Sequence, residues 1–284
     1  MLEARARPRG QPLWLHRGGS EGIEDRSKPR EASLRLHGAR GCAMGSLDML
    51  HRLGCWDRNA LIRRRFGNVN RPTVLEFLAN TLVCALVIGP TFFALSPRNE
   101  ALAHSGAPLW MPLTAADALI PLVPEFIWVY ALFYPAFFVV ALSTTADRRV
   151  MYQGVIGYVV TALIALTCFA LMPSRMEQPT LSGCLTTSCA ALRWMYAFDG
   201  GHHIFPSLHV AYPVCTLCLL KRTMPRFIWM PFLLVVLGIA ASTLLLKRHA
   251  LVDVPAGALT GIIGWLVGTA TGERVAGVTR RFLC

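Results

Sequence analysis

Beyond residue 72 the chain is a series of long apolar runs separated by short polar breaks. The runs are continuous, without the strict two-residue alternation of a membrane β-barrel. Several are about as long as a helix must be to cross the hydrocarbon core of a bilayer, roughly 20 residues. Six spans are predicted, at 73–95, 119–142, 151–172, 206–220, 227–246 and 250–270. Pro90 marks an expected kink in the first. Pro121, Pro124 and Pro135 lead us to expect a second span that is bent or entered through a re-entrant segment. A short helical pattern, Leu185 to Phe198, sits in the polar loop after the third. The predicted architecture is an all-α polytopic membrane protein of six transmembrane helices, with no internal repeat.

Ahead of the first span, residues 1–45 are rich in Arg, Gly, Glu and Ser and have no apolar period, which reads as a disordered basic tail. They lack the compact apolar core of a signal peptide, and Met44 is an alternative start. Residues 46–72 read as a cytoplasmic or interfacial segment. Within it, 48–66 fit either an amphipathic surface helix built on Met49, Leu50, Leu53, Trp56, Leu61 and Ile62 or a plain cytosolic tail. The membrane domain is expected over 73–271, and a basic cytoplasmic tail over 272–284.

Composition agrees with this reading. The 284 residues are 54% hydrophobic and only 15% charged, with a mean hydropathy of +0.46, and a soluble domain carries more charge. The formal charge of +12 does not point to nucleic acid. The basic residues crowd the N-terminal region and the ends of apolar runs, and no stacking motif or recognition helix accompanies them. Such placement sets topology instead. Arg63, Arg64, Arg65 and Arg71, then Arg148 and Arg149, then Lys221, Arg222 and Arg226, then Arg274, Arg280 and Arg281 all fall inside if both termini are cytoplasmic. Arg98, Arg175, Arg193, Lys247 and Arg248 are left outside. The nine cysteines are scattered. Cys84, Cys168, Cys215 and Cys218 lie in apolar runs as small hydrophobes, and the Cys215/Cys218 pair has no second pair to complete a zinc site. Cys184 and Cys189 share a polar loop and suit a disulfide if that loop lies outside the cytoplasm.

That topology places three distant pieces on one face. Arg175 ends the third span, Ser207 and His209 open the fourth, and His249 and Asp253 open the sixth. His249 and Asp253 are one helical turn apart. An Asp that accepts from one imidazole nitrogen fixes the tautomer and makes the other nitrogen more basic, as a nucleophilic histidine requires. A structural His–Asp contact at a helix end has the same spacing. Pro206 at a first helical position would leave free N–H groups for an anion. Ser207 adds a hydroxyl, and a protonated His209 suits a general acid. Arg175 suits bidentate phosphate binding, with Lys247 and Arg248 adding positive potential beside His249. Headgroup contact is the competing role for those cations. His202 and His203 read as polar loop residues.

The stretch FDGGHHIFPSLHV followed by RHALVDVPAG, with ALIPLVPEFIWVY ahead of both, resembles the type 2 phosphatidic acid phosphatase superfamily. The resemblance runs from about Ala116 to Gly264. It is closest to the branch of inositol phosphorylceramide synthases and related bacterial membrane phosphatases. It implies a six-helix bundle of that type in the bacterial inner membrane, with the site facing the exterior. It implies that His249 attacks phosphorus to form a phosphohistidine, that Asp253 orients it, and that His209 protonates the leaving group. Ser207 and Arg175 would hold phosphate oxygens. No metal or cofactor is implied. The chain departs from the wider pattern at Ser242-Thr243, where the superfamily carries Ser-Arg, and at Gln178-Pro179, where Arg-Pro is common. The synthase branch shares the first departure, and Arg248 or Lys247 is the candidate substitute. The expected function is cleavage of a lipid phosphate ester, with water or a hydroxyl lipid as acceptor. A metal-dependent hydrolase using His202, His203, His209, His249 and Asp253, and a lipid-binding protein without turnover, are the rival classes.

Overall fold

The computed structural model describes residues 62–65, 67–106, 109–111 and 113–283. Met44, the expected tail over 1–45 and most of the 48–66 segment lie outside them. Residues 62–65 form a helical turn, with Ile62 buried.

All the regular structure described is helical: α1 (Val74–His104), α2 (Ala115–Leu119), a 3-10 turn (Pro124–Phe126), α3 (Ile127–Ala131), α4 (Phe133–Thr144), α5 (Arg148–Leu171), α6 (Thr187–Phe198), α7 (Leu208–Thr223), α8 (Arg226–Leu245) and α9 (Asp253–Leu283). Local chemistry sets several of the ends. The Thr73 hydroxyl accepts the Glu76 N–H at 3.2 Å while the Glu76 carboxylate accepts the Thr73 N–H at 2.7 Å, so two otherwise orphaned donors start α1. The Asp147 carboxylate accepts the Arg149 N–H at 2.9 Å and opens α5. The segment carrying Pro121, Pro124 and Pro135 is divided into the 3-10 turn, α3 and α4. Pro124 occupies the first position of the turn, where no N–H is needed. Pro135 has no N–H for the Ala131 carbonyl, and the helix breaks at Leu132 between them.

Pro124–Thr144, Arg148–Leu171, Arg226–Leu245 and Asp253–Val278 are long and apolar enough to cross a membrane, and Val74–Val87 is a shorter apolar stretch. Large apolar side chains such as Leu163, Leu234, Leu237 and Leu266 are exposed along them. Patches of that extent suit lipid, not water, and the chain reads as a helical integral membrane protein. Helix α7 has 16 residues, and α9 continues through the segment expected to be a tail, since residues 272–283 contain no proline to stop it.

The interior is aromatic and aliphatic: Phe133, Tyr158, Phe169, Tyr212, Leu220, Phe232 and Ile239 belong to one cluster shared by α4, α5, α7 and α8. Helix α9 runs along α5 and α7 at backbone contact. Its Gly257 and Gly261 face the carbonyls of Ser207 and Ala211 on the α7 side. Gly264, Gly268 and Gly272 face Gly157 and Gln153 of α5; a Cβ on Gly264 would come to 2.5 Å from the Gly157 oxygen and one on Gly272 to 2.6 Å from the Gln153 nitrogen. Small residues let helices approach this closely. The first of these contacts lies one turn from Asp253, so the starts of α9 and α7 are held side by side. The Ser207 N–H donates to the Asp253 carbonyl at 3.3 Å.

Candidate active site

Packing of α7 against α9 brings His209 and His249 together. His209 Nδ1 and His249 Nε2 are 3.5 Å apart, and the ring centroids 5.6 Å. His249 is 5% exposed. Its Nδ1 lies 2.7 Å from the Ile204 carbonyl and 3.4 Å from Asp253 Oδ2. A carbonyl can only accept, so Nδ1 carries the proton and Nε2 keeps a lone pair facing His209. The expected Asp253 partnership is therefore shared, and the shorter bond goes to the main chain. The Asp253 carboxylate also accepts the Ala250 N–H at 2.8 Å, closing the turn that presents His249.

His209 is gripped from its other side. Its Nε2 is 2.6 Å from the Tyr130 hydroxyl, and its ring meets those of Tyr130 and Phe133 in tilted contacts at centroid distances of 4.6 and 4.4 Å. Ser207, not Pro206, caps α7. The extended backbone of Ser207 starts the helix at Leu208, so Pro206 lies ahead of the first turn. The Ser207 hydroxyl is buried, caps nothing and has no hydrogen-bond partner.

Arg248 is the cation of the site. It is 3% exposed. Its Nη1 donates to the Asp199 carbonyl at 3.0 Å, its Nη2 pairs with the Asp199 carboxylate, and its guanidinium lies 5.9 Å from the Tyr196 ring centroid. Burial works against its charge, but Asp199 and the Tyr130 hydroxyl outweigh that and leave its pKa raised. Burial pushes the Tyr196 hydroxyl up to about 12, with Arg248 pulling the other way.

Two chambers meet at this cluster. The smaller, about 30 Å³, is lined by Phe169, His203, Arg248 and His249 together with Asp199, His202, Leu208 and His209. The larger, about 420 Å³, shares those last four and is otherwise mostly aromatic, with Phe93, Phe133, Trp194 and Phe198 among its walls. His249 faces only the small chamber, while His209 stands in the wall between the two.

Arg175, Lys247 and Ser207 line neither chamber. Arg175 is exposed and pairs through its backbone with His202. The Lys247 ammonium donates to the Asp117 carbonyl at 2.9 Å. Three residues without an assigned role complete the framework. Tyr130 holds His209, Asp199 holds Arg248, and Asp117 holds the loop between α8 and α9. The Asp117 carboxylate accepts from Thr114 N–H at 2.8 Å and Leu251 N–H at 2.6 Å. Burial pushes its pKa up, but these bonds and Lys247 leave it lowered overall. The Thr114–Asp117 spacing carries a sequence signal of its own, that of a capping box. Tyr130 and Asp199 lie inside the stretches ALIPLVPEFIWVY and FDGGHHIFPSLHV, to which the resemblance assigns them no role. Cys184 and Cys189 are disulfide-bonded, which ties the loop ahead of α6 to that helix's first turn. Among the described residues no three His, Cys, Asp or Glu side chains are grouped to hold a metal ion.

Burial disfavours the charged form of both neighbouring histidines. Burial pushes the His203 pKa down from 6.5 to about 4, against a smaller upward pull from Asp199. Burial and then Arg175 lower that of His202. As pH falls through 6.5 the unfolded chain takes up protons that folded His203 refuses until about 4, so stability is lost across that window. Thermal unfolding in detergent should show a steady melting temperature above about pH 7 and a decline below it. A His203→Gln variant should decline less steeply, and an unchanged slope would assign the loss elsewhere.

Comparison of the chain with family models, with curated proteins and with solved structures gives no match.

Proposed function

We propose that the protein is an integral membrane enzyme that cleaves a lipid phosphate ester through a phosphohistidine, as a member of the type 2 phosphatidic acid phosphatase superfamily with a six-span bundle. One observation carries the reading: a lone-pair nitrogen of His249 faces His209 beside a buried arginine, at the junction of a small polar chamber and a large aromatic one. Phosphate occupies the small chamber, between Arg248 and His249. The organic part of the ester fills the large one. The phosphoryl group replaces the contact between the imidazoles.

His249 Nε2 attacks phosphorus, and the bond from phosphorus to the ester oxygen breaks. His209, as imidazolium with its Nε2–H on the Tyr130 oxygen, gives its Nδ1 proton to the departing alcohol. The Ile204 carbonyl and Asp253 hold the Nδ1 proton of His249 throughout. Neutral His209 then takes the proton of an incoming water or alcohol, whose oxygen displaces His249 from phosphorus. Water gives a phosphatase. A hydroxyl lipid gives a transferase of the inositol phosphorylceramide synthase kind, and the large chamber has room for such an acceptor. The Cys184–Cys189 disulfide supports a site on the non-cytoplasmic face, with both termini inside.

The test is mass spectrometry of products from purified protein given lipid phosphates with and without ceramide, diacylglycerol or inositol lipids. Vanadate-sensitive, chelator-resistant release of free phosphate, or a new phosphodiester, supports the reading. Binding without either product points to a protein without turnover, and activity lost to chelation points to a metal hydrolase.

A further inference from the structure

Arg248, the only arginine facing the small chamber among the described residues, is already occupied by an anion of the protein itself. Two different bonds hold it. The Asp199 carbonyl takes Nη1 and is fixed in turn by the Gly201 N–H at 2.7 Å and the Gln178 amide at 2.9 Å. The Asp199 carboxylate takes Nη2, yet this side chain is 28% exposed and lines both chambers. Arg248 Nε is buried with no hydrogen-bond partner. One edge of the guanidinium is thus anchored to main chain, Nη2 is held by a side chain with open space beside it, the Tyr130 hydroxyl is a further neighbour, and Nε has no hydrogen-bond partner.

We propose that the Asp199 carboxylate is a displaceable stand-in for substrate phosphate, keeping buried Arg248 neutralised until a phosphate ester takes its place. The inference rests on the reading of the site as a phosphate site. A buried cation without an anion is costly, and Asp199 removes that cost in the empty site. On arrival, phosphate oxygens take Nη2 and Nε while the carbonyl keeps the guanidinium oriented. The carboxylate turns into the large chamber. The guest must outbid a carboxylate, which a doubly charged phosphomonoester does better than a singly charged ion.

The experiment measures inorganic phosphate binding by calorimetry to the purified full chain and to Asp199→Asn. The amide keeps an acceptor for Nη2 and removes the competing charge. Tightening by about tenfold or more is expected, because like charges forced side by side are strongly unfavourable. Unchanged or weaker binding would show that Asp199 only positions Arg248, and would overturn the proposal. Asp199→Ser provides a second variant of the same sign. Failure of both variants to fold even when inorganic phosphate is present throughout would also overturn it, since phosphate should then neutralise Arg248 in place of the carboxylate. Wild-type protein that binds no phosphate would instead count against the phosphate reading itself.

Discussion

His249→Ala is expected to abolish phosphate release, by roughly 10⁴-fold or more, and to remove any acid-labile phosphoenzyme trapped from labelled substrate. The size follows from the geometry. His249 Nε2 is the buried nitrogen facing His209, and on the proposed reading it is the nucleophile. The two partners of its Nδ1 make a graded comparison. Since the shorter bond is to the Ile204 carbonyl and the longer to Asp253, Asp253→Asn should keep the tautomer and lose less activity than His249→Ala. The measurement is single-turnover release of labelled phosphate from each purified variant. Residual turnover of His249→Ala near the wild-type rate would remove the phosphohistidine from consideration.

The second large effect concerns stability. Gly264→Leu should prevent folding or cost about 3 kcal/mol or more, because overpacking against backbone has no flexible side chain to give way. The first carbon of the new side chain would already meet the Gly157 oxygen at 2.5 Å and the Thr161 side chain. Gly277→Ala on the same helix is the control. Nothing lies within 4 Å of its added carbon, and alanine favours a helix over glycine by about 1 kcal/mol. Thermal unfolding of both in one detergent decides the matter: equal melting temperatures would mean that α9 does not seat through its glycines.

The apolar runs made the helices legible, because length and continuity are all that a bilayer demands. Runs 151–172 and 227–246 became α5 and α8 to within three residues. The junction of α7 and α9 was legible through PSLH and RHALVD, since alternation along the chain put both at one level. The sequence did not rank the cations Arg175, Lys247 and Arg248, of which only Arg248 lines a chamber. Arg175 and Lys247 look like Arg248 in sequence, but which cation is buried depends on where Asp199 and Asp117 arrive from distant loops. Tyr130 was hidden for the opposite reason: in an apolar run a tyrosine reads as one more aromatic, and only the approach of α7 to α3 turns its hydroxyl toward His209. The extension of α9 to Leu283 was missed because polarity ends a membrane span without ending a helix.

The wall between the two chambers has a stereochemical consequence. On the proposed reading His249 always approaches phosphorus from the small chamber, and the departing and incoming oxygens both lie on the far side with His209. Each displacement then turns the phosphoryl group inside out once, and two in sequence restore its original handedness. A substrate made chiral at phosphorus with oxygen isotopes and sulfur should yield product of retained configuration when transferred to an alcohol.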